Sequence, residues 1–141
     1  MKMDMVGGGT TKPIALVVDD DFLIRMDVAS ILEDAGFDTL EAGDGDKAIT
    51  LLTNANETVQ VVFTDVQMPG SRDGFALARE VARRWPDIGI VVASGTRRPG
   101  PDEMPEGATF IAKPFGAETI HEHLCKVLPN ERRPAPLRDR A

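Results

Sequence analysis

The 141-residue sequence predicts a doubly wound α/β domain, with five parallel strands in one sheet and helices on both faces. Three observations lead there. Apolar runs of strand length alternate with stretches of helical spacing. Three of those runs are almost continuously apolar, as strands are when both faces of a parallel sheet are covered. Polar residues gather where the apolar runs stop.

The strands come first. "IALVV" (14 to 18), "DTLEA" (38 to 42), "VQVVF" (59 to 63), "IGIVVAS" (88 to 94) and "TFIAK" (109 to 113) are the five candidates. In the first helix Ile24, Val28, Ile31, Leu32 and Ala35 make one stripe, and Gly36 stands where a left-handed cap would end it. The turn "AGDGD" leads into the second helix. In the third, Phe75, Ala78, Val81, Ala82 and Trp85 share a face before Pro86 stops the helix. In the last, Ile120, Leu124, Val127 and Leu128 form the stripe and Pro129 ends it. Between Ser94 and Thr109 three prolines and three glycines oppose a full helix. A short or distorted fourth helix, in the most mobile connection of the domain, is expected there. Residues 1–13 are small and Gly-rich and read as a flexible leader, 14–128 as the domain, and the Pro/Arg-rich 129–141 as a flexible tail.

Bulk properties exclude several classes. Cys125 is the only cysteine, so no intramolecular disulfide can form, which favours a reducing compartment. No segment approaches a membrane span and the first residues lack the apolar centre of a signal peptide, so the expected location is the cytoplasm. With 23 acidic against 16 basic residues the net charge is -7, which offers no broad footprint for nucleic acid and argues against direct DNA binding.

In a doubly wound sheet, ligands bind outside the carboxyl ends of the strands. The first strand ends in Asp19, Asp20 and Asp21, the third in Asp65, the fourth in Ser94, and the fifth in Lys113 followed by Pro114. Two carboxylates about 4 Å apart repel by about 4 kcal/mol at an effective dielectric near 20. Lys113 offsets part of that. A hard divalent cation offsets more, and Mg2+ takes one or two carboxylates together with waters and phosphate oxygens. Acids, a lysine and a hydroxyl at one edge point to phosphoryl transfer, with Asp65 as the nucleophile.

"VVDDD", "FTDVQMPG", "VVASGT" and "FIAKPF", in this order on successive strands, resemble the receiver domain of two-component response regulators over residues 14 to 128. The resemblance implies a flavodoxin-like sheet of order 2-1-3-4-5. It implies that Asp65 accepts a phosphoryl group from a histidine kinase or a histidine phosphotransfer protein, and that the domain is a signalling switch rather than an enzyme. Asp20 would bind Mg2+ directly, Asp19 through water, and the backbone carbonyl of Gln67 would complete the protein ligands. Ser94 would shift toward the phosphoryl group, Lys113 would pair with one of its oxygens, and Phe110 would turn inward as Ser94 moves. The Lys113–Pro114 bond would be cis. The readout would be a changed surface around the fourth helix, fifth strand and fifth helix, read by a downstream protein target, in a monomer or weak dimer. With only a short tail after Leu128, the expected part is a stand-alone regulator or a phosphate shuttle.

Plainer readings stand beside these. Asp21 suits a helix N-cap, and Phe110 suits an ordinary core position. The "DGD" at 44 to 46 lacks the glycine and terminal acid of a calcium loop, since Ile49 and Ala55 occupy those places. His121 and His123 read as solvated. The rival function is a haloacid-dehalogenase-like phosphohydrolase using Asp19 and Asp21, against which stand Leu23 in place of Thr or Val and the missing acidic pair after Lys113.

Overall fold

The computed structural model describes residues 12–55, 58–70 and 72–138. The leader expected over 1–13 lies outside the described residues except for Lys12 and Pro13. Strands β1 (Ile14–Val18), β2 (Asp38–Ala42), β3 (Val59–Asp65), β4 (Gly89–Ser94) and β5 (Thr109–Ala112) alternate with helices α1 (Phe22–Asp34), α2 (Gly45–Ala55) and α3 (Gly74–Arg84), and α4 (Ala117–Val127) closes the domain. All strand pairs are parallel, in the order β2-β1-β3-β4-β5.

Side chains alternate across a strand, so each central strand feeds two cores. Ala15, Val17, Val61, Phe63, Val91, Ala93 and Ile111 face α1 and α4, where Val28, Leu32, Ile120 and Leu124 are buried against them. Leu16, Val18, Val62, Ile90 and Val92 face α2 and α3, meeting Ala48, Leu52, Phe75, Leu77 and Val81. The register between β1 and β3 slips between Ile14 and Ala15, which is why Val59 joins the second core while Val61 joins the first. The edge strand β2 is the most polar of the five, with Asp38 and Glu41 exposed.

Two expectations change. Among the described residues no helix forms between β4 and β5, so the switching surface expected around a fourth helix, fifth strand and fifth helix does not exist in that form. Pro99, Pro101 and Pro105 remove backbone donors at three places within seven residues, and Gly107 adopts φ +88, outside helical space. Met104 and Ala108 instead pack from this segment onto the core beside Phe110.

The second concerns the tail. Its described residues pack: 3-10 turns at Asn130–Arg132 and Ala135–Leu137 carry Leu137 into the first core, where it is 1% exposed. Burying a leucine stabilises by about 1.5–3 kcal/mol. Arg133 donates to the carbonyls of Leu128 at 3.0 Å and Cys125 at 2.9 Å, groups left over at the end of α4. Pro134 closes on Gly36, whose φ is +108; a Cβ added there would lie 2.6 Å from the Pro134 Cβ.

Candidate functional site

β1 and β3 are neighbours and end together, so their terminal acids meet. Asp19, Asp20 and Asp65 each offer an oxygen within 4.8 Å of the others. Lys113, one residue past β5, places Nζ 2.9 Å from Asp65 Oδ1 and 3.8 Å from Asp19 Oδ2. The Lys113–Pro114 bond is cis. Ser94 is the last residue of β4 and buried, and Phe110 lies half-buried in β5 with its ring 6.4 Å from that of Phe75. Gln67 is exposed two residues beyond Asp65. Every residue assigned to the site from the sequence thus lies on or just past the strands that end at this rim, except Phe110, which stands inside β5.

Local chemistry sets each position. Asp21 is the N-cap of α1: its Oδ1 accepts from Leu23 N–H at 3.0 Å and Ile24 N–H at 3.3 Å. The third acid of the run is therefore committed to the helix. Asp19 Oδ1 accepts from Asp21 N–H at 2.9 Å, and its Oδ2 faces the pocket and Lys113. Burial pushes the Asp19 carboxyl above its ordinary range; the Asp21 N–H and Lys113 oppose this, while the charges of Asp65 and Asp20 add to it. Such a site holds more negative charge than its lysine balances. A cation fits it.

Three residues bearing on the site were not singled out from the sequence. Arg25 donates to the Asp19 carbonyl at 2.9 Å and to Glu41 at 2.8 Å, clamping the tip of β1 to β2. Its place one turn beyond the Asp21 cap was the available signal. Gly74 begins α3 against the tip of β3: its N–H donates to Val66 at 2.8 Å, and an added Cβ would fall 2.0 Å from the Asp65 carbonyl oxygen. The pair "DG" at 73–74, cap then glycine, marks it. Arg97 gave no signal, because its partners lie at residues 73, 75 and 103.

His121 and His123 differ from the solvated pair expected. Both are half-buried, and burial, with Lys126 nearby, holds His123 below the ordinary histidine range against the pull of Glu122. The flanks of α4 are covered more widely than its apolar stripe suggests.

A parallel sheet of this order, with an acid trio and a lysine at its carboxyl rim, places the chain in the flavodoxin-like class of α/β domains. The response regulator receiver domain family model matches residues 15–125, and the chain belongs to that family. It is 32% identical over 130 residues to the sensor kinase CckA of Brucella abortus, covering 87% of this chain and 13% of the kinase. It is 36% identical over 108 residues to the transcriptional regulatory protein PdtaR of Mycobacterium tuberculosis, covering 74% of this chain and 51% of that protein. The chain thus spans about half or less of these relatives. Among solved structures it is similar to the chemotaxis protein CheY4 of Vibrio cholerae, with TM-score 0.71 and 29% identity over 84% of this chain and all of that one. It is also similar to the receiver domain of the hybrid histidine kinase CckA, with TM-score 0.69 and 27% identity over 82% and 99% of the two chains. No helix of the described residues is long and apolar enough to cross a membrane.

Proposed function

We propose that this domain accepts a phosphoryl group on Asp65 from a phosphohistidine of a histidine kinase or histidine phosphotransfer protein, and that the modified rim controls binding of a downstream protein. The observation that carries this is Lys113 Nζ 2.9 Å from Asp65 Oδ1 with Asp19 and Asp20 beside it. A carboxylate at a strand tip is held rigidly for in-line attack. A carboxylate oxygen of Asp65 bonds to phosphorus as the bond from phosphorus to the imidazole nitrogen breaks, and the electron pair stays on that nitrogen. Lys113 stands where it can follow the charge onto the phosphoryl oxygens. Asp19, Asp20, Asp65 and the Gln67 carbonyl would hold Mg2+, which when bound neutralises charge on the transferring group. The three carboxylates, with oxygens within 4.8 Å of one another, support a cation there.

The first turns of α1 support a partner at this rim. Phe22, Leu23 and Met26 are 58%, 74% and 47% exposed, directly beyond Asp19 and Asp20. Apolar surface continuous with a reactive pocket suits a partner helix that presents its histidine to Asp65. The phosphohydrolase reading is less well supported, since Asp21, which it needs as a catalytic acid, is occupied in capping α1.

Mixing the protein with a small-molecule phosphodonor and Mg2+ tests the proposal. One base-labile phosphoryl group per chain is expected by intact mass, and none in Asp65→Asn. Turnover of many equivalents, or full labelling of Asp65→Asn, would overturn it.

A further inference from the structure

Arg97 ties three pieces of the rim together. Its backbone N–H donates to Ser94 Oγ at 3.1 Å, beside that of Thr96 at 3.3 Å. Its guanidinium reaches the other way, 3.2 Å from Asp73 Oδ2 with one arm and paired to Glu103 with the other, while its central carbon lies 4.9 Å from the centre of the Phe75 ring. Asp73 is the N-cap residue of α3, donated to by Ala76 N–H at 2.8 Å. Glu103 accepts from Gly100 N–H at 2.8 Å, and its carbonyl accepts from Arg79 of α3 at 2.9 Å. Phe75, under the guanidinium, faces Phe110 of β5.

We infer that Arg97 is a latch: it holds the segment 95–108 on α3 while Asp65 is unmodified, and lets go when Ser94 turns toward a phosphoryl group. This rests on the phosphoacceptor reading. A serine hydroxyl has one hydrogen to give and two lone pairs. In the present arrangement those lone pairs hold the N–H groups of Thr96 and Arg97. Turning the side chain to another staggered rotamer carries the oxygen roughly 2 Å or more away, out of hydrogen-bond reach of both. Beside the Arg79 bond to the Glu103 carbonyl and the packing of Met104 and Ala108, what remains are the ion pairs of Arg97, whose side chain is 42% exposed, and pairs so open to water hold weakly alone. Releasing the segment uncovers the side of β5 where Phe110 meets Phe75. The helixless connection then becomes the moving part, and the latch residue its positioning group.

The test is hydrogen exchange of the amides of 95–108 in the full chain, for wild type and Arg97→Ala, each with and without a small-molecule phosphodonor and Mg2+, with intact mass reporting modification of Asp65. In wild type, exchange should quicken by about tenfold or more on modification. In Arg97→Ala without donor, where both backbone bonds to Ser94 stay, exchange should already rise part of the way to that faster rate, and modification should complete the rise. Glu103→Gln, which leaves Asp73 as a partner, should fall between. Slow exchange in unmodified Arg97→Ala overturns the latch. Equal protection in fully modified wild type overturns the release. A wild-type protein that takes up no phosphoryl mass defeats the phosphoacceptor reading and the release with it, while the donor-free arm judges the latch separately.

Discussion

At the carboxyl end of the strands three carboxylates face one ammonium, and the balance is left negative. At the amino end, where residues 131–134 and Arg138 border a cleft with the starts of β1, β3 and β4, the arginines are spent on the protein itself. Arg132 reaches the Asp87 carbonyl, Arg133 the carbonyls of Leu128 and Cys125, and Arg138 that of Arg133 at 3.0 Å. Satisfied donors at one end stabilise the fold. Unmet charge at the other costs stability and invites a ligand.

Substitutions should separate the two ends, and the largest effect belongs to the amino end. Leu137→Ala removes a fully buried side chain and should lower stability by about 2–4 kcal/mol in denaturant titration, with phosphodonor labelling of Asp65 unchanged. Lost labelling at full folding would erase the distinction drawn here. Next is Lys113→Ala, which strips the rim of its cation. Nζ is partly open to water, so a loss of about 1–2 kcal/mol is expected without Mg2+, and added Mg2+ should restore more stability to the variant than to wild type.

Asp19→Asn should act in the opposite sense. Because burial and the neighbouring acids raise its carboxyl, the folded chain keeps that proton to higher pH than the unfolded chain does. Stability therefore falls as pH rises from the ordinary value of 3.8 through the folded one, and the loss persists at neutral pH. Without Mg2+ the amide should gain on the order of 1 kcal/mol at pH 7 and flatten this part of the stability profile, while losing Mg2+ affinity. A neutral variant less stable than wild type at pH 7 would mean that the rim is balanced after all.

Much of the fold was legible because buried parallel strands are written as unbroken apolar runs. β1 and β2 begin and end where those runs do, at Ile14–Val18 and Asp38–Ala42. β3 runs two residues further, through buried Thr64 to Asp65, since a hydroxyl that bonds a nearby carbonyl can stay in a strand. The positions of Asp19, Asp20, Asp65, Ser94 and Lys113 followed from the same reading, as a strand's end fixes where its next polar group stands. What could not be read depended on partners distant in sequence. The arginines of the tail look solvated until the end of α4 supplies their carbonyls, and Arg97 looks like one more loop cation until Asp73 and Glu103 close around it. Composition foresaw trouble for a helix between β4 and β5 but not that a packed, ion-paired coil would replace it.

Gly74 leaves no gap between the amino end of α3 and the Asp65 carbonyl. The tip of β3 and that helix are therefore in direct backbone contact, and a disturbance at Asp65 finds no space to be absorbed between them. The neighbours of β3 are β1 and β4, and of these it is β4 whose following residues rest on a hydroxyl and a guanidinium.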